Sequence, residues 1–272
     1  MGQAKQKQLS QKQMVEAAPR CIYCSGGPTT VEHMPPLMLF DGRKRPSGLV
    51  FPACSDCNNK TKGADVAAAF FSRINKSGPA DFWKSQAGKN LQASFERDAP
   101  LAYLEFMQLP KSNVLLRNNA GILLNGIKMR ANGPNLVKHL NVFSAKIAMA
   151  LFHEHTGAAL PDNGLVQAAW YMNHGLSEEQ ANAMLKILPA QGELKQGQFS
   201  VWDQFAYRFN SDERTITAGL VGLHKNLHIF FIASSTPEAY GLPVSGVLDP
   251  STSFVTSPGS LIDMLRPALS TT

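Results

Sequence analysis

The sequence predicts an α+β protein, and three observations carry that reading. Two Cys-x-x-Cys pairs, Cys21/Cys24 and Cys54/Cys57, frame a short stretch with β-prone steps and a helical run behind it. A 3.6-period stripe of Leu136, Leu140, Phe143, Ile147 and Leu151 marks a long amphipathic helix near 135–155. Alternating apolar runs between Phe199 and Ala233 read as an antiparallel meander. Apolar residues make up 44% of the 272 and charged residues 17%, which is enough to fill a core and too apolar for a chain disordered throughout. The expected division is a Gln/Lys-rich tail at 1–18, a small module at 19–78, and a helical plus antiparallel-sheet domain at 79–272.

The elements follow in order. The tail holds five Gln and three Lys with little apolar periodicity, so it reads as disordered or marginally helical. Thr29–Val31 is a short strand leading into Glu32-His33, and Pro35-Pro36 ends it because proline cannot donate to a ladder. Arg43, Lys44 and Arg45 form a basic loop before a second strand at Leu49–Phe51. A helix is expected from Asn58, with Val66, Phe70 and Ile74 at i, i+4 spacing, ending at Gly78-Pro79. A further helix is expected at 81–96 and a hairpin from 114–117 and 122–130. Ser177-x-x-Gln180 opens a helix that runs to Leu188, where Pro189 stops it, and a short helix near 258–268 closes the chain.

The four cysteines are the only ones in the chain. The N-terminal residues lack the apolar run of a secretory signal, and no stretch of about 18 apolar residues occurs, so a cytoplasmic chain with reduced thiols is expected. Paired Cys-x-x-Cys spacing in that setting reads as one tetrahedral Zn²⁺ held by Cys21, Cys24, Cys54 and Cys57. The 29 residues between the pairs exceed what a compact zinc ribbon needs, and Glu32-His33 lies inside that excess. The charge is also divided. Residues 1–90 hold 13 Lys/Arg and 6 Asp/Glu, net +7, whereas 91–272 hold 13 and 14, net −1. The basic excess falls on the cysteine-bearing part, which points to a polyanion partner there.

Cys21-x-x-Cys24, Glu32-His33-x-Pro35, Ala53-Cys54-x-x-Cys57-Asn58 and Lys62-Gly63 together resemble the zinc-containing branch of the HNH, or ββα-metal, endonucleases on a treble-clef scaffold. The resemblance covers residues 19–75, about a fifth of the chain. It implies structural Zn²⁺ on the four cysteines, His33 as general base, and Glu32 and Asn58 as ligands of a catalytic Mg²⁺ or Mn²⁺. Many members carry Asp where Glu32 stands, and Asn58 takes the place of the last histidine in the family's name. The residue types suit phosphodiester hydrolysis. A neutral imidazole accepts a proton from water, and carboxylate and amide oxygens suit a hard divalent cation. The implied partner is nucleic acid, DNA in preference to RNA, with Arg43, Lys44, Arg45, Lys60 and Lys62 as phosphate contacts.

Each residue keeps a plainer reading. His33 also reads as a packed histidine, Glu32 as an exposed turn carboxylate, Asn58 as a helix cap, and the cations as solvated side chains. Asp65 reads as a partner for Lys62 or a water, or as idle. A non-catalytic zinc-finger binding module is the alternative for the whole. A homo-oligomer or regulatory partner engaged through the 79–272 part is a third reading. His153-Glu154-His155 is not a metal motif, because adjacent and i, i+2 helical positions do not share a face. The aromatics of 199–209 read as core rather than as a base-stacking platform.

Overall fold

The computed structural model describes residues 11–74, 80–117, 121–129, 131–172, 178–243 and 253–266. It opens with α1 (Gln11–Ala17), so the second half of the expected tail is helical and packs near the first strand. β1 (Thr30–His33) and β2 (Val50–Ala53) pair antiparallel, with Glu32 opposite Phe51 and His33 opposite Val50. α2 (Ser55–Lys60) and α3 (Lys62–Ser72) follow, giving a ββα arrangement. α2 begins earlier than Asn58. The Cys54 sulfur caps it by accepting from the Cys57 amide, so Asn58 lies inside the helix and is not its cap.

Between the two helices the chain turns at Thr61, whose hydroxyl donates to the Cys57 carbonyl at 2.6 Å. Ten of the eleven α3 residues are buried, which explains its Ala-rich, all-round apolar sequence. The approach is close. A Cβ on Gly63 would meet the Asp98 carbonyl at 2.4 Å, so only glycine fits.

The expected helix at 81–96 is two helices, α4 (Ala80–Lys84) and α5 (Gln86–Asp98). A third, α6 (Pro100–Gln108), extends them, and the sequence reading lacked it. Phe70 and Phe71 of α3 meet Phe95 of α5 and Phe106 of α6, with ring centroids 4.9–6.4 Å apart among Phe70, Phe71, Phe95 and Phe106. β3 (Lys111–Arg117) and β4 (Leu123–Met129) form the expected hairpin, with 118–120 outside the described residues. α7 (Pro134–Thr156) matches the expected long helix, and all five residues of its stripe are buried.

Beyond α7 lie β5 (Leu165–Met172), α8 (Glu178–Ile187), β6 (Ala190–Glu193), β7 (Lys195–Gln196), β8 (Phe199–Ser200), β9 (Phe205–Ser211), β10 (Ile216–Leu223), β11 (Leu227–Ser234), β12 (Ser253–Thr256) and α9 (Leu261–Met264). Six strands form one antiparallel sheet in the order β12-β5-β11-β10-β9-β6. Val166, Ala168 and Trp170 of β5 join the main core. Ala169 and Tyr171 turn to the opposite face, toward Met184 and Leu188. Both faces of β5 are covered, so it shows no polar alternation and escaped the sequence reading.

The main apolar core runs without a break from Cys21 to Leu261. The boundary expected at 78/79 falls in 75–79, outside the described residues, but packing continues across it. α3 lies against α7, the Asn226 amide donates to the Phe71 carbonyl at 2.7 Å, and the Gly259 amide donates to the Tyr23 carbonyl at 2.7 Å. Among the described residues no helix is long and apolar enough to cross a membrane.

Candidate functional site

The four cysteine sulfurs all lie within 4.8 Å of one another, and none is in a disulfide. Cys24 and Cys54 sulfurs are 3.7 Å apart. A tetrahedron with metal–sulfur bonds of about 2.3 Å has edges of about 3.8 Å, so the set is positioned to bind a metal ion and is consistent with structural zinc. Backbone amides of Tyr23 and Cys57 donate to the Cys21 and Cys54 sulfurs at 3.3 Å each, stabilising thiolate character. The Cys21 thiol is brought down to about 5, first by the hydrogen bond from Cys57, whose own value moves up in return.

β1 turns its successive residues to opposite faces. Glu32 is buried, whereas Val31 and His33 are half-exposed. The plainer reading of Glu32 as an exposed turn carboxylate is therefore incorrect. Its Oε1 lies 3.7 Å from the Lys146 ammonium, and both oxygens of Asp65 accept from that ammonium at 2.7 Å. Lys146 is completely buried on α7, above the ring of Tyr23 at 5.6 Å. This resolves Asp65, which serves Lys146 and not Lys62. Lys62 pairs with Asp98 at 3.2 Å.

Two carboxylates and one ammonium leave this buried cluster one positive charge short. Glu32 shows the deficit. Burial, partly offset by Lys146, raises its carboxyl to about 7, and among the described residues its Oε2 has no hydrogen-bond partner. Burial tends to discharge Lys146, but Asp65 and then Glu32 hold its pKa above the ordinary lysine value. Nothing in the local sequence announced Lys146. A lysine amid the helix stripe reads as a surface residue until the partner helix is in place.

Glu32, His33 and Asn58 all line one open cleft of about 850 Å³, together with Asp65, Lys62 and Arg45. The Asn58 side-chain amide donates to the Val31 carbonyl at 3.3 Å, which ties α2 to β1 and leaves the amide oxygen as an acceptor. Burial, then the charge of Arg45, lowers the His33 pKa, so its imidazole is neutral at pH 7 and able to accept a proton. Gln11 and Met14 of α1 and Gln196 of β7 complete part of the rim.

The basic residues separate into two kinds. Arg45 donates to the carbonyls of Met34, Pro35, Pro46, Gly48 and Leu49 at 2.9–3.4 Å. It closes the loop between β1 and β2, where Gly48 and Leu49 have positive φ of 111° and 47°. Its guanidinium is largely committed, a structural use the sequence reading lacked. Arg43 and Lys44 are exposed, and Lys60 pairs with Asp56 at 2.8 Å on the surface. His153 packs edge-on to Phe51, and His155 stacks on Phe209 at 3.8 Å, so these two histidines serve packing.

No family model, curated protein or solved structure matches this chain. The functional reading rests on the residues and their geometry.

Proposed function

We propose that the chain is a divalent-metal-dependent endonuclease of the HNH type that hydrolyses phosphodiester bonds of nucleic acid, DNA in preference to RNA. The observation that carries this reading is that Glu32, His33 and Asn58, from β1 and α2, line one cleft beside the cysteine cluster. In this reading the cysteines hold Zn²⁺, which staples the strand bearing His33 to the helix bearing Asn58 and does no chemistry. His33 takes the proton of the attacking water. Glu32 and Asn58 offer oxygens to Mg²⁺ or Mn²⁺. The unpartnered Oε2 of Glu32 and the one-charge deficit around it fit a cation. When bound, that cation supplies charge neutralisation on the phosphate and stabilisation of the departing alkoxide. Lys62 at the cleft wall and the exposed Arg43 and Lys44 supply phosphate contacts.

The test is cleavage of plasmid, single-stranded DNA and RNA by pure protein with Mg²⁺, Mn²⁺ or a chelator, against the His33→Ala variant. Metal-dependent cleavage that drops to background in the variant, with the cysteine-bound metal retained, is the expected result. Equal activity in the variant, or none in the parent under any condition, sinks the reading.

The alternative is a non-catalytic zinc-finger module that binds nucleic acid. One observation favours it: Glu32 faces a built-in cation, Lys146, that competes with a metal for its charge. Nucleic-acid binding without cleavage in the same assay would select it.

A further inference from the structure

The segment 194–204 belongs to the sheet half of the chain, yet it reaches the cleft. Gln196 of β7 lines the cleft wall, and a Cβ on Gly48 of the β1–β2 loop would lie 3.4 Å from the Leu194 side chain. β7 and β8 form a two-residue hairpin in which Gln196 is directly opposite Phe199. Opposed residues of an antiparallel pair project from the same face, so Phe199 shares a hairpin face with Gln196. The turn at Gly197-Gln198 has φ of 61° at Gly197, a left-handed position suited to glycine. Trp202 follows in the next turn. Phe199 is 47% exposed and Trp202 58% exposed, whereas Phe205 and Tyr207 beyond them are buried.

The backbone that carries these two rings is anchored. Leu194 and Val201, both buried, anchor the two ends of the hairpin, the Val201 amide donates to the Leu194 carbonyl, and Ser200 donates to Glu193 at 2.8 Å. Single exposed apolar residues are ordinary on a surface. The charge around these two sets them apart. The Lys225 ammonium lies 4.5 Å from the Trp202 ring centroid. The Gln204 side chain accepts from the Asp41 amide at 2.8 Å, which brings the loop bearing Arg43 and Lys44 to the same turn. Asp203 is the one carboxylate between Leu194 and Gln204, and its charge acts on His224. Two exposed aromatic faces, one beside a lysine and both on a segment that meets the loop carrying Asp41, Arg43 and Lys44, suit a chain of phosphates carrying flat bases.

We infer that Phe199 and Trp202 form a stacking subsite for unpaired nucleobases, with Lys225, Arg43 and Lys44 on the phosphates. A duplex keeps its bases stacked inside and cannot offer them to these rings, so the substrate class implied is single-stranded or frayed nucleic acid. This deepens the nuclease reading and rests on it. It also gives the near-neutral sheet half a direct part in substrate binding that the charge division did not suggest.

The test is equilibrium binding of a labelled oligothymidylate and of a duplex of equal length to the full chain, in the His33→Ala background without added divalent metal. Phe199→Ala and Trp202→Ala are each expected to weaken single-strand binding by about fivefold or more, with much smaller loss on duplex. Trp202→Phe, which keeps a stacking face, is expected to restore most of the affinity. Because both rings are exposed, thermal midpoints should match the parent. Unchanged single-strand affinity overturns the inference, and so does an equal loss on single strand and duplex. The nuclease reading fails separately, if the parent cleaves nothing. A Trp202→Ala variant with His33 intact that cleaves duplex at the parent rate, together with unchanged single-strand affinity, removes the subsite alone.

Discussion

The four-cysteine cluster and the Glu32–Lys146–Asp65 cluster both organise charge, and both use the same ββα segment. They differ in where their parts come from. The cysteines all lie between residues 21 and 57, at the ends of β2 and α2 and in the turn before β1. The second cluster is completed by Lys146 of α7, 81 residues from Asp65. A metal ion can assemble the first from a short segment, because its binding energy becomes folding energy. The second exists only when α7 has docked, since each carboxylate would otherwise be buried without its counter-charge. One cluster is positioned to staple the ββα segment locally with a metal ion, and the other ties that segment to α7 through a buried ammonium.

The largest expected effect breaks the first cluster. Cys57→Ser should lose the bound metal and unfold the ββα segment, since a structural zinc site supplies about 10–16 kcal/mol of apparent binding energy in zinc-finger peptides. Metal content and a thermal melt check it, and retention of one metal per chain with an unchanged melt contradicts it.

Next comes the ammonium. Lys146→Met leaves Glu32 and Asp65 buried together and should cost about 3–5 kcal/mol in chemical denaturation. The triple change Glu32→Gln, Asp65→Asn, Lys146→Met should cost less than Lys146→Met alone, because no uncompensated charge remains. A loss below about 1 kcal/mol for Lys146→Met would remove this cluster as the tie between the halves.

A smaller effect appears as a pH dependence, and it lies on α7, the helix that supplies Lys146. Burial brings His155, stacked on Phe209, from 6.5 down to about 4. The unfolded chain therefore binds this proton between those values while the folded chain does not. Its contribution to stability is lost as pH falls from about 6.5 to about 4 and is absent as a pH dependence above that window. Denaturation midpoints measured across the window should decline, and His155→Phe should make the decline shallower. An identical slope in the variant would place the effect on other buried histidines.

The smallest expected effect is at the surface. Lys60, paired with Asp56 in the open, should be replaceable by Ala with no measurable change in the melt. If Lys60 touches a phosphate, the salt dependence of duplex binding should lose about one unit of slope. An unchanged slope removes Lys60 from the contact surface and leaves the cleft residue Lys62 and the loop cations.

The cysteine pairs, the β1–β2 step, the five-residue stripe of α7 and the strands β10 and β11 were legible in the sequence, because spacing and periodicity are local properties that survive without knowledge of packing. Glu32, His33 and Asn58 line one cleft because one short segment carries all three. Lys146 was not legible, nor were the double-faced burial of β5 or the carbonyl clamp of Arg45. A buried lysine looks like any other lysine until a carboxylate arrives from a distant helix, and a strand covered on both sides carries no alternation to read. The split of the aromatics in 199–209, with Phe199 and Trp202 outward and Phe205 and Tyr207 inward, also depended on the fold, since residue type sets the tendency to bury and only the surrounding chain supplies the surface to bury against. The sequence by itself determined the metal-binding pattern and the kinds of side chain around it, through spacing along one segment. The tertiary structure decided which charge meets which, because those partners lie far apart in the chain and only packing brings them within reach.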